Sequence, residues 1–428
     1  MNKSITQLLN NDALEISNEN KFKSLVRYIT SKNTYWASVF RNFNNLENLS
    51  YKEVLKYIPI MKRELVISGE EILIIDNEKD KNSIYYLTNG TENPAIKVKK
   101  YTNVAKTNNY ENAMFEWELH GRDFAKRTLV IRQESPNGDS AWRPLQPISK
   151  NITDFSIINS NDYKIEKLYS VFEDINPAYL FINPVDLRQL ATYFLSNKSN
   201  KKGVKLSQVV VIGYFVDDGL RSLVRLAFNC EVINHYSCNE LGYIAFQCPS
   251  SNHLHPNSIA IFTEILNSKN LECNTGEEGI VVTTDLNLSP IPLIKYEVGD
   301  LVLVGEKCRT SLNLQTIEKI VGRQSDRIIH PDRTSFIPQI SGASFLKFRS
   351  LFDFKITIFE NLFLFNAYSF TKLNLTQHEI IRSDLKDIFK SDMPVEVNVS
   401  SVPRWKTEQR RVYHREKGKI YNISDKKN

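Results

Sequence analysis

The chain is poor in cysteine and has no long apolar run. Five Cys in 428 residues, an odd number without regular spacing, argue against a disulfide framework and for a reducing compartment. No stretch approaches the roughly 20 apolar residues that a membrane helix needs. The opening MNKSITQLLNNDALEISNEN lacks an apolar core of signal-peptide length, so a cytoplasmic location is expected. An excess of one charge is missing too. The 55 Lys and Arg are interleaved with 49 Asp and Glu, for a net charge of +6, so no long basic face forms and nucleic acid is a poor partner.

What is present reads as an ordinary soluble globular chain, 41% hydrophobic and 24% charged. Its length exceeds one typical domain and suits a large core with a smaller appendage. Residues 1 to about 65 place apolar side chains at helical spacings, Leu8, Leu9, Leu14 and Ile16, then Phe22, Leu25, Val26, Tyr28 and Ile29. That helical region ends at Ile58-Pro59-Ile60-Met61-Lys62-Arg63, where Pro59 stops a helix. Ser83 to Val98 is β-rich around a polar turn. Glu111 to Gln146 reads as helix, strand and polar loop, with Phe115, Trp117 and His120 as candidate pocket or core residues. Fully apolar short strands such as Val209 to Ile212, bracketed by helical patterns, indicate a mostly parallel sheet covered on both faces. After Ile328 the pattern becomes α+β: a strand FKITIFENLFLFNAYSF, a helix LTQHEIIRSDLKDIFK, a strand PVEVNVSSVP and a basic tail.

The polar residues that need explaining sit at strand ends. In YEVGDLVLV, Gly299 breaks the strand period and Asp300 stands where an apolar residue is expected. A carboxylate so placed can accept hydrogen bonds from two vicinal hydroxyls, such as those of a ribose. In IVGRQSDRI, Arg323 follows Gly322 where a strand ends, and its forked guanidinium suits a phosphate or the same ribose. Tyr236, Ser237, Cys238, Asn239 and Glu240, followed by Gly242, read as a strand and turn that carries Glu240. In CPSSNHLH, Cys248, His253 and His255 lie within eight positions, with Cys273 and Cys308 further along. Cys and His on such a loop are candidate Zn2+ ligands, although the spacing matches no strong zinc motif.

Together these residues resemble the adenylate-forming superfamily. There a Tyr-x-x-Gly-Asp element, here Tyr296 to Asp300, and a later Gly-Arg-x-x-Asp element, here Gly322 to Asp326, mark the nucleotide site and the hinge. The phrase PLIKYEVGDL is most similar to the phenylacetate-CoA ligase and coenzyme F390 synthetase-like branch. The resemblance implies an α/β fold with a large N-terminal adenylation domain, residues 1–325, and a small α+β C-terminal lid domain, residues 326–428. It implies that Thr88, Gly90 and Thr91 form a phosphate loop, with Gly213, Tyr236, Ser237, Asp300 and Arg323 also on the nucleotide and Glu240 on Mg2+. TNGTENP can equally be a plain hairpin turn, and it lacks the family's second glycine and following lysine, having Glu92 and Asn93 before Pro94. Lys419, after Gly418, best resembles the lysine that the lid brings to the reacting carboxylate, and Lys406 is the runner-up. A zinc site near Cys248 is also similar to that of some members of the branch.

The activity so implied is ATP-dependent ligation of a carboxylic acid, through an acyl-adenylate, to a thiol. The expected cofactors are ATP, Mg2+ and coenzyme A, with Zn2+ as a candidate. The expected partners are a small-molecule carboxylic acid of aryl or aryl-alkyl type, coenzyme A or an acyl carrier protein, and a second copy of the chain in a homodimer. No nucleic acid and no membrane is expected. The alternatives are a degenerate relative that binds nucleotide, acyl group or carrier protein without adenylating, and an acyl-protein synthetase.

Overall fold

The N-terminal region of helical spacing folds, from residue 11 to residue 73, into α1 (Asn11–Lys32), α2 (Thr34–Phe40), α3 (Tyr51–Tyr57), α4 (Arg63–Ser68) and a single turn α5 (Glu70–Leu73). These come from a computed structural model, which describes residues 11–43, 48–75, 83–87, 97–132, 151–156, 165–196, 204–212, 216–259, 261–309, 315–329, 335–359, 361–400 and 413–415. Phe22, Leu25, Val26 and Ile29 form the buried face of α1. At α3, Ser50 caps the Glu53 backbone N–H while the Glu53 carboxylate accepts from the Ser50 backbone N–H, a reciprocal arrangement that satisfies two otherwise unpaired donors. Pro59 ends this helix as expected. The preceding Ile58 is extended, with φ −78° and ψ 132°, because the proline ring disfavours the helical region there.

The chain continues as β1 (Ser83–Leu87), β2 (Lys97–Tyr101), α6 (Thr102–Leu119), β3 (Thr128–Arg132), β4 (Ile152–Ser156), α7 (Ile165–Ile175), β5 (Tyr179–Ile182), α8 (Pro184–Ser196), β6 (Gln208–Ile212) and α9 (Asp218–Phe228). Seven strands follow: β7 (Glu231–Cys238), β8 (Gly242–Gln247), β9 (Leu254–Pro256), β10 (Ile261–Leu266), β11 (Glu278–Asp285), β12 (Tyr296–Gly305) and β13 (Thr316–Arg323). The remainder holds β14 (Ile328–Ile329), β15 (Ser335–Phe336), β16 (Leu351–Ile358), β17 (Phe363–Ser369), α10 (Leu375–Phe389), β18 (Val395–Ser400) and β19 (Tyr413–Arg415).

These elements divide into two compact units, one of residues 1–124, 137–150 and 235–321, the other of 125–136, 151–234 and 322–428. In the first unit β1 and β2 form an antiparallel ribbon. The strand pairs β10–β11, β11–β12, β13–β9, β8–β9 and β7–β8 are antiparallel as well. Their apolar residues, among them Ile244, Val281, Tyr296, Val302 and Ile317, share one core with the buried faces of α1 to α4.

In the second unit β4, β3, β5 and β6 pair in parallel. Every residue of β5 is buried, and Leu180, Ile182, Val209 and Val211 share a core with α7, α8 and α9. That explains why these strands read as continuous apolar runs. Arg188 of α8 is held bidentately by Asp217 at 2.7 and 2.9 Å and donates to the Leu346 carbonyl at 2.8 Å. A buried guanidinium is tolerated when its donors are filled in this way.

The α/β fold expected from the sequence is present, with a smaller α+β sheet near the C-terminus in the order β18-β17-β16-β19. One element differs. The stretch FKITIFENLFLFNAYSF, expected as a strand, is the antiparallel hairpin β16–β17, closed by Phe359 N–H donating to the Leu362 carbonyl at 2.9 Å. Seventeen residues exceed an ordinary strand, and Glu360-Asn361 provides the polar break. Among the described residues no helix is long and apolar enough to cross a membrane.

Candidate functional site

Asp300 owes its position to a bulge in β12. Between the pairs Glu297↔Val282 and Leu301↔Ile280, three residues, Val298, Gly299 and Asp300, face the single Val281 of β11. Gly299 has φ +88°, a conformation that costs little only without a Cβ, and a bulge re-aims the side chain that follows it. Asp300 is therefore turned out of the apolar alternation, is 7% exposed, and accepts a hydrogen bond from Tyr236 Oη at 2.7 Å.

Glu240 sits in the tight turn that joins β7 to β8, closed by Gly242 at φ +80°. It is buried. Its Oε1 accepts from Tyr296 Oη at 3.2 Å and from Arg63 Nη1 at 3.3 Å. Burial, and then the Glu240 charge, push the Tyr296 phenol well above its ordinary value, so it stays a donor. The two motifs thus hold each other crosswise: the tyrosine of each binds the carboxylate of the other. Arg63 is delivered by the backbone, since Met61 bridges Tyr296 through Met61 N–H to the Lys295 carbonyl and Glu297 N–H to the Met61 carbonyl, both 2.9 Å. Lys62 beside it pairs with Glu297.

Of the other expected nucleotide residues, Ser237 is partly exposed on β7. Arg323 ends β13 on an exposed position and belongs to the second unit, where Gly322 has φ +150° and would place a Cβ 2.9 Å from Ile337. Thr88, Gly90, Thr91, Gly213, Lys406 and Lys419 lie outside the described residues.

Phe115 and Trp117 are core residues, Phe115 edge-on to Phe246 and the fully buried Trp117 stacked on Phe124. Between them Glu116 carries a charge cluster that sequence reasoning missed. Its carboxylate lies 3.2 Å from His235 Nδ1 and 3.5 Å from Arg122. Burial would raise the Glu116 carboxyl, but the His235 and Arg122 charges outweigh it and hold it at about 2. Burial, then the neighbouring Arg122, lower His120 to about 4.

A second candidate centre lies at the far end of β8. Cys248, His253, His255 and Cys308 bring one donor atom each to within 4.8 Å of one another. The chain doubles back here through Cys248 N–H donating to the His253 carbonyl at 2.9 Å. Three of the four are at most 5% exposed. Two sulfurs and two imidazoles suit tetrahedral zinc, whose bonds of roughly 2.0 to 2.3 Å need donors a little closer together than these. His253 Nε2 is buried with no hydrogen-bond partner among the described residues. Burial, then His253, lower His255 to about 4, so it presents the neutral imidazole that binds metals. The donor set therefore fits zinc. Sequence spacing found Cys248, His253 and His255 but did not separate Cys308 from Cys273. The strand order does, since Cys308 follows β12 into this corner while Cys273 faces Gly279 and Ile265.

No known protein family matches this sequence, and no curated protein does. Solved structures do match its fold, among them two CoA ligases. One is a 2-hydroxyisobutyryl-CoA ligase in its postadenylation state with the acyl adenylate R3-HIB-AMP, at TM-score 0.76 and 14% identity, covering 96% of this chain and 91% of that one. Another is the anthranilate CoA ligase AuaEII with anthranoyl-AMP, at TM-score 0.56 and 10% identity, covering 76% and 65%. The amide bond synthetase McbA from Marinactinospora thermotolerans matches at TM-score 0.51 and 15% identity, over 74% and 66%.

Proposed function

We propose that the protein is an ATP-dependent carboxylic acid ligase that forms an acyl-adenylate and passes the acyl group to a thiol. The observation that carries this reading is the crosswise pair, Tyr236 with Asp300 and Tyr296 with Glu240. Two carboxylates of different duty are held rigid by phenols within one unit, as binding a sugar and a metal–phosphate group requires.

In this reading a carboxylate oxygen of the acid bonds to the α phosphorus of ATP, and the bond to the β phosphate breaks to release pyrophosphate. A thiolate then bonds to the acyl carbon and AMP leaves. Asp300 accepts the ribose hydroxyls, and Tyr236 fixes that carboxylate beside the adenine. Arg323 holds ribose or phosphate, and Thr88 to Thr91 with Gly213 and Ser237 line the phosphate path. Glu240 would hold Mg2+, which binds through one or two carboxylates plus substrate phosphates and supplies neutralisation of their charge. Lys419, or Lys406, in a lid formed by residues 326–428 stabilises the charge that develops at the reacting carboxylate. No protein nucleophile is needed. An aryl or aryl-alkyl acid and coenzyme A are the proposed substrates, with a carrier-protein thiol as the other acceptor. Cys248, His253, His255 and Cys308 would hold a zinc ion whose contribution is structural, tying the end of β8 to the end of β12.

The test is ATP–pyrophosphate exchange with a panel of aromatic and aliphatic acids. Exchange that depends on the acid and falls at least 100-fold in Glu240→Ala supports the ligase. ATP binding without exchange for any acid replaces it with a nucleotide-binding relative. Acyl-AMP formed without coenzyme A turnover moves the acceptor to a protein.

A further inference from the structure

Arg63 has no place in the assignment above, yet it sits against the proposed magnesium ligand. Its guanidinium reaches Glu240 Oε1 at 3.3 Å, on the same oxygen that Tyr296 holds at 3.2 Å. The position is built. Met61, two residues earlier, is locked beside Tyr296 by backbone hydrogen bonds to Lys295 and Glu297, both 2.9 Å, and Lys62 is anchored on Glu297. Glu240 is buried, while the Arg63 side chain retains 22% of its exposure, so the cation faces outward from the carboxylate.

A divalent ion arriving at Glu240 meets this guanidinium, and two cations side by side repel unless an anion joins them. The triphosphate of ATP is such an anion. The sequence adds a second reason. The stretch TNGTENP carries Glu92 and Asn93, and no lysine, between Gly90 and Pro94, so a cation of the kind that a phosphate loop usually supplies must come from elsewhere. A guanidinium is well suited to it, since its forked donors match phosphate oxygens bidentately.

We propose that Arg63 is a phosphate-positioning residue that neutralises Glu240 in the nucleotide-free chain and engages the polyphosphate of the magnesium–nucleotide complex when it binds. The proposal rests on the ligase reading for its ligand, and it gives a role to Arg63, which the sequence marked only as the close of the N-terminal helices. Before nucleotide arrives, Arg63 keeps a buried carboxylate from standing alone, which is costly. With nucleotide bound, the guanidinium would engage the phosphates and Glu240 would be left to hold Mg2+.

The experiment is calorimetric titration of MgATP, and separately of adenosine, into the full chain and its Arg63→Met and Arg63→Lys variants, with thermal unfolding run on each. Arg63→Met should weaken MgATP binding by roughly 10- to 100-fold, as expected for loss of a charge-assisted hydrogen bond. It should leave adenosine binding unchanged, because adenosine has no phosphate. Arg63→Lys keeps the charge without the fork and should stay within about tenfold of wild type. Should Arg63→Met fail to fold, Arg63→Gln is read by the same criterion. Equal MgATP binding by wild type and variant, or a parallel loss for adenosine, overturns the proposal while leaving the ligase reading intact. A wild-type chain that binds neither ligand overturns both.

Discussion

Tyr236 Oη donates to Asp300 Oδ2 at 2.7 Å between two buried side chains that are 64 residues apart in the chain. The bond joins the end of β7 to the bulge of β12, and it helps to hold the direction of the carboxylate. Tyr236→Phe removes one oxygen and leaves the ring in the core. A hydrogen bond to a charged group is worth about 1.5 to 3 kcal/mol, so ATP binding should weaken roughly tenfold or more. Asp300→Ala should also abolish discrimination between ATP and 2′-deoxy-ATP, which wild type should show. Equal binding of both nucleotides by wild type would remove the ribose role from Asp300.

The four donors of the second centre make a prediction that does not depend on catalysis. Purified protein should carry about one equivalent of zinc by elemental analysis, and Cys248→Ser and Cys308→Ser should each lose it. Cys273→Ser should keep it, since that thiol faces Gly279 and the Glu278 carbonyl instead. Because metal that binds only the folded chain stabilises it, a strong chelator should lower the unfolding temperature of wild type by several degrees, roughly. The same chelator should leave Cys308→Ser unmoved.

How much of this could be read in the sequence depends on how far each feature reaches along the chain. Pro59 stopping α3, the apolar strands of the second unit and the broken period at Gly299 are local, and each was legible; Asp300 was expected at a strand end, whereas it lies within β12 at a bulge. Asp300 was legible as a carboxylate where an apolar residue is expected, and Glu240 through the resemblance of its turn. Their partners were not, because Tyr296 meets Glu240 across 56 positions and Arg63 meets it across 177. Cys308 was one of two cysteines further along the chain until β9, β12 and β13 placed it. The buried charge of Glu116 was hidden inside a run, AMFEWEL, whose aromatics read as a core or pocket stripe.

That hidden cluster predicts the protein's response to acid. His120 is lowered to about 4 from an ordinary 6.5, so between those values the unfolded chain binds the extra proton and stability falls as pH falls. Glu116 is held at about 2 against an ordinary 4.5. Its contribution is fully present above pH 4.5 and is lost as pH drops from there through 2. Urea unfolding at pH 7, 5.5, 4 and 3 should show stability declining across both windows. Glu116→Gln should remove the lower decline and cost about 3 kcal/mol at neutral pH, since it leaves Arg122 and His235 buried without their carboxylate. A variant that keeps the wild-type slope below pH 4.5 would place the titrating group elsewhere.

Gly299 gives the sharpest separation of fold from site. Its φ of +88° lies where a β-branched residue is strained by roughly 1 to 3 kcal/mol, and the bulge can relieve that strain by flattening into regular pairing. Flattening draws the two extra residues of β12 into the ladder and removes the local kink that aims Asp300. Gly299→Val should therefore leave a folded chain, with unfolding lowered by that modest amount. ATP affinity should fall as far as in Asp300→Ala. Adding Asp300→Ala to Gly299→Val should then cost little more, because both changes remove the same carboxylate from the same place. Fully additive losses would mean that the bulge serves the sheet and not the carboxylate.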